Sequence, residues 1–496
     1  MQKYILAIDQ STSSTKAIIF SDEGKLICRH NVDHRQFYPR PGWVEHDPVE
    51  IYNNTLLAIK GALEKCAIGQ NRLSAVSITN QRETCLVWDR ISGRPVYNAV
   101  VWQCTRAKEI CEKLISLGYS DIVKSKTGLV LAPYFSAAKL KWILDNVEGA
   151  RAKAEKGLLL AGTMDSWLLW NLTDRKVHAT DFSNACRTQL FNINELKWDD
   201  GLLKIFTIPG RMLPEVKSSN EIFGYTSQSQ GFDCSIPISG IMGDSHAALF
   251  GQNCFRKGMA KATYGTGSSV MMNVGSKALE SKNGVVTSLA WAINGIAEYV
   301  FEANINFTGA TIKWLAEDLE IISSPGEAEK IASSIENTGG VYLVPAFAGL
   351  AAPYWDDAAR ASITGMTAGT KKAHLVRAAE ESIAYQIKDV LDLMKEQSGQ
   401  ELKELRVDGG PAKDNFLMQF QSDILDTTLI RAEIEEISAY GSALAAGMAT
   451  GIWKTKEELT TLSTTGKVFR SSMSADKRNL LYAGWKEAVK RTLSFG

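Results

Sequence analysis

Two stretches in opposite halves of the chain repeat one design, and that repetition constrains the fold more than any other feature. Near the start, Tyr4-Ile5-Leu6-Ala7-Ile8 is apolar, Asp9-Gln10-Ser11-Thr12-Ser13-Ser14-Thr15-Lys16 is small and polar, and residues 17–20 are apolar again. Asp22-Glu23-Gly24 then supplies a turn before residues 26–28 resume the pattern. Short apolar runs bounded by turn residues read as buried strands, so the segment is strand, tight loop, strand, turn, strand. In the other half, Ala260-Lys261-Ala262-Thr263-Tyr264-Gly265-Thr266-Gly267-Ser268-Ser269 echoes the small, hydroxyl-rich loop, and residues 270–274 continue as strand.

The rest of the chain alternates strand and helix patterns. Trp43-Val44-Glu45-His46-Asp47-Pro48 leads into a helix, with Asp47 suited to the N-cap and Pro48 to the first helical position. Residues 75–79 read as a strand that opens into Asn80-Gln81-Arg82-Glu83-Thr84, and residues 86–88 resume it. Leu140, Ile143, Leu144 and Val147 repeat at helical spacing over residues 136–147. Ile236-Pro237-Ile238-Ser239-Gly240-Ile241-Met242-Gly243-Asp244 is another strand ending in a carboxylate, with a helix expected from about Ala247. Leu405-Arg406-Val407-Asp408-Gly409-Gly410 ends a further strand, and residues 440–452 are small and apolar, suited to a helix packed close to a sheet. Such alternation predicts an α/β fold. A chain of 496 residues exceeds what one core sustains. We therefore expect two α/β domains, residues 1–249 and 250–496, closely apposed around an interdomain cleft.

Composition narrows the function classes. Hydrophobic residues make up 45% and charged residues 22%, as in an ordinary globular protein. Lys plus Arg equals Asp plus Glu at 55 each, so no global basic field exists to gather nucleic acid or anionic lipid. No apolar run is long enough to span a bilayer, and the first apolar stretch is too short for a secretory signal, so stable membrane insertion is not expected. Eight cysteines form no C-x-x-C pair, and six histidines form no H-E-x-x-H site. This pattern predicts a cytoplasmic protein with free, mostly buried thiols.

Phosphoryl transfer needs an anion cradle, a magnesium position and an oriented hydroxyl. Asp9 suits magnesium, directly or through water, while Ser11, Thr12, Ser13, Ser14 and Lys16 suit β- and γ-phosphate oxygens. A local turn capped by Asp9 is the competing reading. Tyr264-Gly265-Thr266-Gly267-Ser268 and Asp408-Gly409-Gly410 are further candidate nucleotide loops, each also legible as a plain turn. Walker, dinucleotide and protein-kinase motifs are absent. Asp244 is the candidate general base for an alcohol, with helix capping as the alternative. Arg82 donates through a rigid fork and Glu83 accepts, a pairing suited to adjacent hydroxyls of a neutral diol. Trp102 and Tyr134 suit flat walls, although core packing explains a lone tryptophan equally well.

These segments, together with Pro133-Tyr134-Phe135-Ser136, Asp181-Phe182-Ser183-Asn184-Ala185-Cys186-Arg187-Thr188, Ala352-Pro353-Tyr354-Trp355-Asp356 and Phe416-Leu417-Met418-Gln419-Phe420-Gln421-Ser422-Asp423, resemble the FGGY carbohydrate-kinase family, most closely its glycerol kinase branch. The resemblance covers nearly the whole chain. It implies two ribonuclease-H-like domains of the actin/hexokinase ATPase type, closing over ATP and Mg2+. It implies phosphorylation of a terminal hydroxyl of glycerol to sn-glycerol 3-phosphate, with a longer polyol such as erythritol or ribitol, or a ketose, as the alternative, and a weakly active ATP/polyol-binding regulator as a more distant one. It implies Asp244 as base, Asp9 and Asp244 near the metal, and Arg82, Glu83, Trp102, Tyr134 and Asp244 around the polyol. Thr12, Ser13, Thr266, Gly309 and Gly410 match nucleotide positions, with Asn415 near the adenosine. A homodimer or homotetramer is implied as well.

The chain departs from that family pattern at four places. Ser11 stands where glycine is usual, and Lys16 where arginine is frequent. Ser245 replaces a glutamine that contacts the polyol, and Ser269 replaces a phenylalanine that lines its pocket. The two smaller residues predict a wider, wetter pocket with weaker selection against longer polyols.

Overall fold

A computed structural model describes residues 2–462 and 466–494. Two α/β domains face each other across a cleft, each built on one mixed sheet. The first sheet has strands β1 (Tyr4–Gln10), β2 (Ser14–Ser21), β3 (Leu26–Asp33), β4 (Leu73–Asn80), β5 (Ile222–Tyr225) and β6 (Pro237–Gly243), in the order β5-β6-β4-β1-β2-β3. The second has β7 (Met259–Tyr264), β8 (Ser268–Gly275), β9 (Val286–Ile293), β10 (Ile296–Ile305), β11 (Glu404–Gly409), β12 (Leu429–Arg431) and β13 (Val468–Phe469), in the order β9-β10-β8-β7-β11-β12-β13. The helices that shape the site are α1 (Pro48–Cys66), α2 (Ser136–Asn146), α3 (Asp244–Gly251), α4 (Gly309–Glu317), α5 (Asn415–Leu425) and α6 (Ile437–Ala449).

The repeated loop design marks corresponding corners of the two sheets. In the first, Asp9 faces Lys16 on antiparallel β2 and Thr79 on parallel β4. In the second, Thr263 faces Ser269 on antiparallel β8 and Asp408 on parallel β11. Thr263 therefore holds the place in its sheet that Asp9 holds in the first. Ligands of open α/β sheets bind beyond the carboxyl ends of parallel strands. Residues just beyond those ends, Thr12, Arg82, Asp244 and Gly265, line the cleft, while Gly409 and Gly410 line a neighbouring cavity.

Period-two alternation sorts the first strands onto two cores. Leu6, Ile8, Ala17 and Ile19 pack with Ile51, Tyr52, Ala58 and Ile59 of α1. Their neighbours Ile5, Ala7, Ile18 and Phe20 pack on the opposite face against Ala439, Tyr440, Ala443 and Leu444 of α6. Each fully buried large apolar side chain contributes about 1.5–3 kcal/mol. As its composition predicts, α6 sits close: a Cβ on Gly441 would collide with the Ala247 carbonyl of α3. Its Ser442 Oγ also lies 3.0 Å from Ser77 Oγ of β4. A helix late in the sequence thus seals the first sheet, which local periodicity does not reveal.

Asp47 caps α1 through the Val49 amide at 2.8 Å, as expected. One expectation needs correction. Cys28 on β3 and Cys66 at the end of α1 form a disulfide with Cα atoms 6.2 Å apart, so the thiols are not all free. The pairing joins residues 38 apart that share no short motif, so spacing gave no signal for it. The other six are free, and all but Cys234 are buried. Among the described residues no helix is long and apolar enough to cross a membrane.

Candidate active site

Strand β6 ends at Gly243, whose amide donates to Ser183 Oγ at 2.9 Å, and α3 begins at Asp244. Sequence alone left capping open for Asp244. The structure places Gly243 at the cap and Asp244 at the first helical position, with its side chain 42% exposed to the cleft. Asp244 Oδ1 accepts from the Ser245 amide at 2.6 Å and lies 3.1 Å from Arg82 Nε. A carboxylate there also complements the helix N-terminus.

Arg82 is fully engaged on its other side. Its two terminal nitrogens donate to Glu302 Oε2 and Oε1 at 3.0 and 2.8 Å, a bidentate pair across the cleft from β10. Arg187 adds a second cation, 2.9 Å from Glu302 Oε2 and donating from Nε to Glu83 Oε1 at 2.6 Å. Burial alone would raise the Glu302 carboxyl; Arg187 and Arg82 outweigh it and hold the group far below the usual carboxylate range. All four side chains are nearly inaccessible, so each charge depends on the others. Glu83 takes φ +59°, and its carbonyl accepts from Ser136 Oγ at 3.0 Å. A left-handed glutamate is strained, and strain of this kind concentrates at functional sites.

The aromatic walls are held as deliberately. Trp102 Nε1 donates to Thr12 Oγ1 at 3.0 Å, and the ring meets Tyr134 edge-on with centroids 5.7 Å apart. Lys139 of α2 is buried and donates to the Tyr134 carbonyl at 2.7 Å and the Val101 carbonyl at 3.4 Å, fixing the backbone beside both walls. Burial pushes its ammonium below the ordinary lysine range. A cleft of about 900 Å³ brings together Thr12, Arg82, Glu83, Trp102, Tyr134, Asp244, Ser245, Thr266 and Ser269. His246, two residues on from Asp244, is fully buried, and burial drives it well below its usual pKa.

The other candidate nucleotide residues divide. Thr12 reaches the cleft, and Ser13 is exposed at the loop tip. Ser11 is turned inward, its Oγ donating to the Ser14 carbonyl at 2.9 Å and accepting from the Ser14 amide at 3.3 Å. Lys16 Nζ pairs with Glu436 Oε2 at 2.7 Å, at the start of α6. Asp9 has no hydrogen-bond partner for its carboxylate among the described residues, and burial raises it to about 7. An unpartnered carboxylate at that corner fits a divalent cation. Thr266 is exposed, while the Gly309 amide at the start of α4 is taken by the Gly265 carbonyl at 3.0 Å.

A second cavity of about 670 Å³ opens beside Gly409 and Gly410, with Lys413, Arg431 and Lys467 on its rim. Gly409 has φ +97°, and a Cβ there would strike the Tyr264 carbonyl, so only glycine fits. Asp408 is not free for a ligand, since Gln252 Nε2 donates to it from inside. Asn415 Oδ1 accepts from Lys467 Nζ at 2.7 Å and its amide donates to Glu329 at 3.0 Å.

Sequence reasoning missed Glu302 and Lys139 and gave Arg187 no role. A charge inside the apolar Tyr299-Val300-Phe301-Glu302-Ala303 strand was the available signal for the first.

Family models for the N-terminal and C-terminal domains of the FGGY family of carbohydrate kinases match residues 4–251 and 260–450. Glycerol kinase of Caldanaerobacter subterraneus subsp. tengcongensis is 52% identical over 495 residues, covering 100% of this chain and 99% of that protein. Glycerol kinase 2 of Thermotoga maritima is 51% identical over 493 residues, covering 99% of both. The crystal structure of Plasmodium falciparum glycerol kinase with ADP gives a TM-score of 0.95 at 38% identity, covering 99% of this chain and 98% of that one. Ligand-bound xylulose kinase of Lactobacillus acidophilus, at 20% identity and TM-score 0.88 over 98% of both chains, shares the fold. With both lobes matched and half of all residues shared with full-length relatives, this chain belongs to the FGGY family of carbohydrate kinases.

Proposed function

We infer that this protein is an ATP-dependent glycerol kinase, transferring the γ-phosphoryl group to a terminal hydroxyl to give sn-glycerol 3-phosphate and ADP. The observation that carries this reading is the Asp244 carboxylate, exposed to the cleft and 3.1 Å from an Arg82 locked from behind by Glu302. It occurs in a chain 52% identical to a glycerol kinase along its whole length.

Asp244 orients the reacting hydroxyl and accepts its proton as the oxygen bonds to phosphorus. Arg82 and Glu83 bind the two remaining hydroxyls, and Trp102 and Tyr134 cover the carbon chain. Thr12, Ser13, Thr266 and the loop amides near Gly267 donate to phosphate oxygens, while the cavity beside Gly410 and Asn415 takes the adenosine. Lys16, paired here with Glu436, supplies the cation for the phosphates by exchanging that partner. Asp9, with Asp244 nearby, would hold magnesium, which when bound neutralises phosphate charge. Closure of the two lobes excludes water and limits wasteful ATP hydrolysis. The strand orders, with β2 antiparallel to β1 and β4 and β6 parallel in the first sheet, and β8 antiparallel to β7 and β11 and β12 parallel in the second, support reading both lobes as ribonuclease-H-like. Residues 1–249 then bind the polyol and 250–496 the nucleotide, in a cytoplasmic homodimer or homotetramer.

The test is an ATP-dependent phosphorylation screen with product identification. Glycerol 3-phosphate and stoichiometric ADP are the expected products; ADP release that no polyol stimulates would reject the assignment.

A further inference from the structure

Glycerol has three hydroxyls, and the charged centre accounts for all of them: Asp244 for the reacting group, Arg82 and Glu83 for the others. The same cleft contains polar groups that this leaves unused. On β10, Glu302 and Asn304 lie two residues apart and share a face, and Asn306 just beyond the strand lines the cleft with them. Asn304 sits in register beside Ser269 on β8, and Ser269 beside Thr263 on β7. These three cross-strand neighbours all line the cleft.

The strip is polar without internal reason. Ser269 Oγ is buried and has no hydrogen-bond partner among the described residues. Buried hydroxyls are nearly always paired, so an orphan on a residue that lines the cleft calls for a partner the chain itself does not supply. The side-chain amides of Asn304 and Asn306 are exposed and make no hydrogen bond within the described residues. Asn304 lies about 7 Å along the strand from Glu302, where a three-carbon ligand seated on Arg82 and Glu83 presents no hydroxyl.

We propose that Ser269 and Asn304, with Asn306 beyond them, form a second polyol subsite, so that the cleft accepts linear four- and five-carbon polyols as well as glycerol. This rests on the kinase reading above and names a wider substrate class for the same site. The added hydroxyls meet the Asn304 amide and Ser269 Oγ, each of which both donates and accepts. The transfer step itself is the same. The terminal hydroxyl oxygen bonds to the γ-phosphorus as the bond from that phosphorus to the bridging oxygen breaks, the hydroxyl proton passes to Asp244, and ADP leaves.

The experiment measures kcat/KM of the full-length enzyme with MgATP for glycerol, erythritol and ribitol, with product masses. At least one longer polyol should fall within about tenfold of glycerol. Asn304→Ala and Ser269→Phe should each lower the ratio of longer polyol to glycerol by about tenfold. As a binding readout, Asp244→Asn protein should show a rise in Tm with the preferred longer polyol comparable to that with glycerol. A glycerol preference above about 10³-fold, a ratio unmoved by both substitutions, or a Tm that responds to glycerol alone would overturn the subsite and leave the kinase assignment standing. Failure to phosphorylate any polyol would overturn the kinase assignment, and the subsite with it.

Discussion

At the carboxyl end of β1 the chain places Asp9; at the matching position of β7 it places Thr263. The loop after β1 offers Thr12 and Ser13, and the ends of β4 and β6 offer Arg82, Glu83 and Asp244. The corresponding corner of the second sheet offers Gly265-Thr266-Gly267 and Gly409-Gly410, which are small and uncharged. One topology thus serves two binding chemistries. On the proposed function, fixed charges act on a small neutral polyol and its proton, while the glycine loops take a large, already anionic nucleotide. The lobes differ in how they tolerate change. The first lobe depends on charge identity, and the second depends on lack of side chain. Glu302 is the exception, because it is a charge from the second lobe that completes the first.

The strongest way to break this contrast is Asp244→Asn, which keeps shape and removes the base. It should lower kcat about 10³-fold with little change in KM, read by coupled ADP release. Near-normal turnover at saturating glycerol would remove Asp244 from the chemistry. Next comes Glu302→Gln, which leaves Arg82 and Arg187 short of their shared anion. The expected cost is about 3 kcal/mol in denaturant unfolding, together with weakened glycerol binding. An unchanged midpoint and KM would mean the cross-cleft pair carries nothing.

Gly409→Ala tests the glycine corner of the second lobe. Its added methyl group meets the Tyr264 carbonyl, so stability should fall by about 2 kcal/mol and KM for ATP should rise while KM for glycerol holds. A rise confined to glycerol would blur the division between the lobes. The smallest effect is the pH response of Asp9. Burial raises this carboxyl from an unfolded value of 3.8 to about 7. Between those values the folded chain holds a proton that the unfolded chain has released, so this group's contribution to stability falls as pH rises through that window. Without metal, Asp9→Asn should therefore raise Tm relative to the parent more at pH 8 than at pH 5. An equal difference at both pH values would contradict the raised carboxyl.

Much of this was legible locally. Strand–loop–strand segments announce themselves through apolar runs that stop at Asp9, Asn80, Gly243 and Tyr264, and residues just beyond those stops, such as Thr12, Arg82, Asp244 and Gly265, line the cleft. Asp47 and Pro48 announced the start of α1. What remained hidden depends on pairings distant in sequence. Glu302 meets Arg82 across 220 residues, and nothing in either neighbourhood encodes that meeting. The disulfide between Cys28 and Cys66, the inward turn of Ser11 and the seating of α6 on the first sheet are likewise products of packing. Sequence spacing reported which residues stand at strand ends, and tertiary contact decided which of them remain free for a ligand.

On the proposed function, Asp244 faces a polyol held by Arg82 and Glu83 while the small loops hold the triphosphate. A crystal structure with glycerol, magnesium and a non-hydrolysable ATP analogue tests it most directly. An Asp244 oxygen should lie within hydrogen-bond distance of a terminal hydroxyl that points at the γ-phosphorus. A polyol seated away from Asp244, or a triphosphate bound outside the loops at residues 11–14 and 265–267, would contradict it.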